Sequence, residues 1–488
     1  MRRLNPTTEN QEGFTVFKQT MIAGKAGAGA VLVGVLSTAA NLAVAQAVGT
    51  PPATTGTIAP VDQTLSWHGI TLYGIVDIGL QYETHGAPFS DYHPAGSANI
   101  VQKNSRQSVT GATPSNLSQS RIGLQGEEPV AGDWKAVFKI ETFFNPQSGE
   151  ISDAEKSMVL NNGKPASEQG TNLDSSVAGQ AFQTAYVGFS SKTFGTLTFG
   201  RQTTWVADGV SKYDPNYASQ AFSLIGMSGT YAGAGDTQDR RLDNSLKYVL
   251  PIAEVGRLGL LYKFNNSNGG ANSAFQADIG GDLAGASVDA YYSKVKSAIS
   301  ASPLSATQAA ELPTLGYSIT NSLSATVSDN TTYSIMGSYT INPVKFLAGY
   351  EHISYANPAD PLSAGFTDIG GYNLAFVNDK AYKNDKVLQV YWAGVRYTAM
   401  PGLDLTVAYY GYHQNAYGTG ADAGCDTNKS GTCSGHFEAF SFDAVYAFTH
   451  RLDGYLGAMY SAVYDGVANG YDFQRNNLNP TIGVRFKF

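Results

Sequence analysis

Two cysteines and seven histidines are the side chains of this 488-residue chain best suited to nucleophilic, metal or redox chemistry. Cys425 and Cys433 lie close together in GCDTNKSGTCSG; in an exported chain, two cysteines bracketing a Gly/Ser-rich stretch predict a local disulfide that tightens a loop. A metal centre would want more ligands. From Asp426 the same segment reads D-x-N-x-S-G, the front half of a calcium loop, but its twelfth position is Phe437 where a bidentate Glu is needed, so no calcium is expected. The histidines, His68, His85, His93, His352, His413, His436 and His450, are scattered, and none stands in a nucleophile setting such as G-x-S-x-G. Scattered loop histidines are plain surface residues more often than catalysts, although their number leaves room for a dyad. No catalytic residue, cofactor or metal is assigned.

The elements that carry these residues alternate with a period of two. In PTIGVRFKF, Pro480, Ile482, Val484, Phe486 and Phe488 fall on one side of an extended strand, and Thr481, Gly483, Arg485 and Lys487 on the other. GITLYGIVDIGLQY sets Ile70, Leu72, Val76, Ile78, Leu80 and Tyr82 against Thr71, Asp77 and Gln81. WKAVFKIE sets Trp134, Ala136, Phe138 and Ile140 against Lys135, Lys139 and Glu141. Helical spacing is hard to find. Glycine (54), tyrosine (29) and phenylalanine (23) are abundant, only 14% of residues are charged, and mean hydropathy is −0.17. That balance fits a barrel with one apolar and one polar surface. A net charge of −8 without a basic tract argues against nucleic acid.

The connections alternate too. Short ones read EEPVAGD, SKTFG, PIAEVG, GGDLAG, INPV, AMPG and THRLD. Between them lie long ones around 83–117, 143–180, 203–241, 296–330, 356–385, 414–435 and 464–479. A large soluble sandwich does not explain that parity, whereas an outer-membrane barrel places short turns on the periplasmic side and long loops outside. The expected fold is therefore an all-β, transmembrane, antiparallel up-and-down barrel over residues 66–488, with sixteen strands running from 69–82 to 480–488. NSLSATVS (321–328) also alternates, but as a seventeenth strand it would reverse the parity, so it is assigned to a loop. The last strand must pair with the first to leave no open edge in lipid, and Phe488 then belongs to the aromatic girdle.

Residues 1–45 differ from the rest. Arg2, Arg3, Lys18 and Lys25 precede the apolar run AGAGAVLVGVLSTAANLAVA, which closes on the small-x-small pattern Ala43-Val44-Ala45. This predicts an export signal cut after Ala45, with Met1 or Met21 as the start, followed by a short periplasmic lead over 46–65. A single membrane anchor is the alternative, though the run is Gly- and Ala-rich.

The ordered set ITLYGIVDIGLQY, SRIGLQGEE, QTAYVGF with FGTLTFGRQ, RRLDNSLKYVLP and a terminal Phe resembles the general porin family of Gram-negative outer membranes, over essentially the whole mature chain. The resemblance implies a homotrimer of sixteen-stranded barrels, each with a water-filled pore narrowed by an inward-folded third outer loop, here 203–241. It also implies arginines on the wall facing acids on that loop: Arg121 in SRIGL, Arg201 in FGRQ and Arg240 or Arg241 before LDNS, opposed by Asp208 and Asp214, with Asp236 and Asp239 in reserve. Arg201 shares parity with Leu197 and Phe199, so a bulge near Gly200 is required to turn it inward. Where some family members carry lysine after LYG, this chain has Ile75, with Asp77 on the inward face.

Such opposed charges across a narrow gap create a transverse field that orders water and dipolar solutes. The expectation is an outer-membrane channel for ions and small hydrophilic solutes, and the acidic total tilts it towards mild cation preference. Three rivals stand beside it: a sugar- or aromatic-acid-selective channel using Tyr213, Tyr217, Phe222 and Tyr231 as a stacking slide, a barrel hydrolase, and a closed structural or adhesive barrel.

Overall fold

The computed structural model describes residues 65–86, 91–92, 99–103, 105–169, 181–227, 240–253, 255–265, 272–367 and 369–488. The signal and most of the lead expected at 1–65 lie outside them. Alternation becomes strand along the chain: β1 (Ile70–Glu83), β2 (Val109–Pro114, then Arg121–Ala131), β3 (Trp134–Phe143), β4 (Phe182–Ser191), β5 (Gly195–Thr203), β6 (Arg241–Ile252), β7 (Gly256–Lys263) and β8 (Ala274–Leu283). There follow β9 (Ala286–Ser302), β10 (Ser322–Ile341), β11 (Val344–Ala356), β12 (Lys386–Met400), β13 (Leu403–Gln414), β14 (Gly435–Ala447), β15 (Leu452–Asp465) and β16 (Asn476–Leu478, then Thr481–Lys487). Each pairs antiparallel with its successor.

The sheet closes on itself. Thr481–Lys487 pairs with Gln81–Ile75, and Gly74 and Phe488 exchange backbone hydrogen bonds of 2.9 and 3.0 Å. In lipid each unpaired backbone group costs several kcal/mol, so this closure is a condition of the fold. Beyond Phe488, Leu65–Trp67 doubles back on Ile70–Leu72 through His68 and Gly69, both at positive φ, and covers the remaining edge of β1. The sequence reading ended the lead at 65 and missed this small hairpin.

The two faces separate as the alternation demands. On β16, Ile482, Val484 and Phe486 are exposed while Thr481 is buried. The same outward apolar belt recurs in Ile122 and Leu124, Val187 and Phe189, Tyr333 and Ile335, and Val395 and Tyr397. Inward positions are polar yet buried, among them Gln276, Ser293, Thr332, Glu351 and Ser461. Short turns join the strands at one end. Between β8 and β9, Leu283 pairs directly with Ala286, so Ala284 and Gly285 form a two-residue loop with both φ values positive (51° and 84°).

One segment corrects the sequence reading. Residues 322–328, assigned to a loop, are the outer part of β10 itself. Past a bulge between Val295 and Ala298, Ala298–Ser302 of β9 pairs with Ser328–Ser324, and a separate strand, Asn373–Asn378, lies parallel to Ser322–Thr326. The alternation of NSLSATVS was real, but it prolonged an existing strand at its long-loop end and left the strand count at sixteen.

Candidate functional site

The third long connection leaves β5 at Thr203 and enters helix α2 (Trp205–Tyr213); the Thr204 hydroxyl caps it by accepting from Ala207 N at 3.1 Å. Val206, Val210 and Tyr213 on this helix are buried. The chain is then tied to one strand after another. Trp205 N donates to Gln276 Oε1 on β8 (2.8 Å), Trp392 Nε1 on β12 donates to the Tyr213 carbonyl (3.0 Å), and Asn216 Nδ2 donates to Ser441 Oγ on β14 (2.7 Å). Arg396 donates to the Pro215 carbonyl and stacks its guanidinium 3.4 Å from the Tyr217 ring centroid. Asn479 Nδ2 donates to the Ala221 carbonyl (3.0 Å), and Gln220 N to the Asn116 carbonyl (2.8 Å). Gly394 leaves the space that Pro215 fills, since a Cβ there would collide with its ring.

Asp214 fastens this segment. Its carboxylate accepts from Tyr410 Oη on β13 at 2.6 Å and from Ala218 N at 2.6 Å, and burial raises its pKa against the lowering effect of those hydrogen bonds. Read from the sequence as an acid facing a gap, it is instead fully buried. Asp77, expected on the inward face, is inward on β1 and 0% exposed there: it accepts from Leu117 N (2.9 Å), Ser118 N (2.7 Å) and Tyr455 Oη (2.6 Å). It holds the break in β2 against β1 and β15. Tyr213 and Phe222, suggested for a stacking slide, are also fully buried; Tyr217 is exposed, under Arg396.

A half-open charge cluster stands on β2 to β6. Glu141 accepts from Tyr73 Oη (2.9 Å) and lies 3.8 Å from Arg121 Nε and 3.6 Å from Lys139 Nζ, whose side chains are 31% and 27% exposed. Arg241 stacks 4.7 Å from the Phe143 ring centroid beside them. Asp208, on α2 and 40% exposed, is ion-paired with Lys247 on β6, which also donates to the Thr203 carbonyl (2.8 Å). Arg121, Lys139, Arg241 and Asp208 thus gather round this side. The bulge that Arg201 requires is present: the β5–β6 register shifts between Gly200 and Gln202, and Gly200 has φ of 134°. Arg201 comes within electrostatic reach of Asp243. Arg240 accepts from Thr204 N through its carbonyl (3.1 Å). Lys135 is elsewhere, near the short-turn end, paired with Glu127 at 2.5 Å. Asp236, Asp239 and Tyr231 lie outside the described residues.

Cys425 and Cys433 are joined by a disulfide in the connection between β13 and β14, with Cα atoms 4.9 Å apart. Asp422 is close by, but both sulfurs are committed to that bond and offer no thiolate to a metal.

Sequence reasoning missed Lys247 and a second cluster. Arg257 on β7 pairs with Asp278 (3.3 Å) and Asp289, and Lys212 of α2 reaches Asp289 (3.2 Å) and Asp282 (3.3 Å). Tyr213 Oη also donates to Asp289. The period-two pattern puts Asp278 and Asp282 on one face, which was a usable signal. That Lys212 would arrive from the loop was not.

A family model for Gram-negative porins matches residues 28–466. The chain belongs to the Gram-negative porin family. Family and barrel together make the outer membrane its place. An outer membrane porin protein of Bordetella pertussis is 26% identical over 204 residues, which span 42% of this porin and 45% of that relative. Among solved structures, an anion-selective porin from Comamonas acidovorans superposes with a TM-score of 0.53 at 16% identity, covering 86% of this porin and 99% of that chain. OmpT of Vibrio cholerae in its trimer form gives 0.51 at 14% identity, covering 86% and 99%. At these identities the two structures share the fold.

Proposed function

We propose that this porin is a general diffusion channel: a homotrimer whose barrels each pass ions and small hydrophilic solutes passively, with no chemical step. The observation that carries the reading is the loop segment 204–227 tied to inward residues of β8, β12, β13 and β14 and to Asn479 at the break in β16, while partly exposed Arg121, Lys139 and Asp208 gather round β2 to β6. A loop bound to one inner wall leaves the remaining gap beside the opposite wall, where those charges set a transverse field. The trimer form of the Vibrio protein supports the oligomeric state, and the run ending at Ala45 supports export by a cleaved signal.

Ion preference follows from the excess sign at the gap. The chain total of −8 argues for cations. At the cluster on β2 to β6, however, the partly exposed Arg121 and Lys139 outnumber the partly exposed Asp208, and local charges outweigh distant loop charges across a Debye length of about 10 Å at 0.1 M salt. We therefore take a mild anion preference as the better reading. Purified protein in a planar bilayer tests both parts. Ohmic steps in threes support the trimeric channel, and the reversal potential under a salt gradient gives the sign. Folded protein that passes no current sinks the proposal.

A further inference from the structure

The connection between β3 and β4 behaves unlike a free loop. After Phe143 it is held to the first long connection by Asn145 Nδ2, which donates to the Asp91 carbonyl (3.3 Å), and by Asp153 N, which donates to the Tyr92 carbonyl (2.7 Å). It then forms the short helix α1 (Ala154–Val159), capped by Asp153. Met158 and Val159, 0% and 8% exposed, are buried against Ala301 of β9, Leu323 and Ala325 of β10, and Leu374 of the parallel strand. Side chains at a solvent-facing loop tip are normally exposed. Here they complete the core of the outer sheet extension.

The far end is hydrogen-bonded as closely. Asn162 Oδ1 accepts from Leu304 N (2.7 Å), its Nδ2 donates to the carbonyls of Ser322 (2.7 Å) and Ile319 (2.9 Å), and Gly163 N donates to the Leu304 carbonyl (2.9 Å). Tyr372 Oη donates to Asp153 Oδ2 (2.9 Å). In a closed sixteen-stranded ring, β3, which the segment leaves, and β9 are six steps apart one way and ten the other. For a chain fixed at both places on the outer end, the shortest course between them is the chord over the opening.

We propose that residues 145–163 form a strap across the outer mouth, docked on the β9–β10 extension, that acts as a size filter in series with the inner constriction. The strap rests on the channel reading above. It limits what enters from outside by crossing the entrance, and it leaves ion choice to the charges below. Asn162 is the latch, because its one side chain satisfies a donor and two acceptors of the extension.

The test uses the full-length protein in planar bilayers, with residues 154–162 replaced by a Gly/Ser linker of equal length and, separately, Met158→Asp to undock the strap at full length. Conductance and the exclusion limit for neutral polyethylene glycols are read from each side. Both variants are expected to admit larger polymers from the outer side and to conduct more, with reversal potential unchanged. If both fold as heat-modifiable barrels and keep the unaltered limit and conductance, the strap is overturned. An unaltered protein that passes no current would instead overturn the channel reading and the filter with it.

Discussion

The two inner walls of the barrel use the same residue types differently. On β2 to β6, Glu141 meets Arg121 and Lys139 at 3.8 and 3.6 Å, and both bases remain about a third exposed to water. On β7 to β9, Asp278 and Asp289 are buried and pair with Arg257, while Lys212 and Tyr213 reach Asp289 from the loop helix; Arg257 and Lys212 are 22% and 36% exposed. The bases reach water on both walls, so the difference lies in the partners: Glu141 is held by wall residues alone, Asp289 also by the loop. The loop makes the difference, because its helix supplies Lys212 and Tyr213 to one cluster and sets Asp208 on Lys247 beside the other.

The strongest test of that contrast is the buried cluster. Arg257→Gln leaves Asp289 and Asp278 short of a partner, and breaking a buried pair costs roughly 3–5 kcal/mol. The expected result is a clear fall in the heat-denaturation temperature of the barrel, read by gel mobility, with little change in reversal potential for the channels that do fold. A shift in selectivity without loss of stability would place this cluster at the open gap and erase the difference between the walls.

Next comes the fastening of the loop. Asp214→Ala leaves Tyr410 Oη and the Ala218 N–H buried without an acceptor, at about 1–3 kcal/mol each. Part of this is recovered if the loop lifts away and exposes those groups, so the variant should show noisier and larger single-channel openings as well as lower stability. Quiet openings of unaltered size would mean that the other ties, from Trp392, Arg396 and Asn216, hold the loop without it.

On the open wall the effect is on selectivity. Arg121→Glu combined with Lys139→Glu reverses two charges beside Glu141 and should move the reversal potential towards cations, more at 0.1 M than at 1 M salt, where the Debye length falls to about 3 Å. Glu141 is buried and loses both bases, so stability falls as well, and the potential is read on the channels that fold. An unchanged potential would put the controlling charges elsewhere.

Most of the barrel could be read from the chain, because period two, turn chemistry and loop parity are local signals that the bilayer enforces on every strand. Even the bulge needed by Arg201 followed from its clash of parity with Leu197 and Phe199. What failed was anything decided by a partner distant in sequence. Asp214 has the type and position of a gap-facing acid and Asp77 those of a lumenal one, and only the arrival of Tyr410 and Tyr455 makes them buried anchors. Lys212 and Arg257 meet because the loop lies over β8 and β9, which alternation cannot report. The extra length of β10 was hidden for a related reason: NSLSATVS pairs with a parallel strand some fifty residues on, so it looked like a redundant strand.

The smallest effect separates depth from mere orientation. Lys135 and Lys139 share one face of β3, but Lys135 pairs with Glu127 near the short-turn end, an exposed pair worth about 0–1 kcal/mol, whereas Lys139 stands beside Glu141. Lys135→Ala should leave both melting temperature and reversal potential within error, while Lys139→Ala moves the potential measurably. The reason is distance: four residues along a strand is about 13 Å, beyond one Debye length at 0.1 M salt. If the two substitutions shift the potential equally, the field is set by the whole charged face of the lumen rather than by the few side chains opposite the loop, and the division between an open wall and a covered one loses its functional meaning.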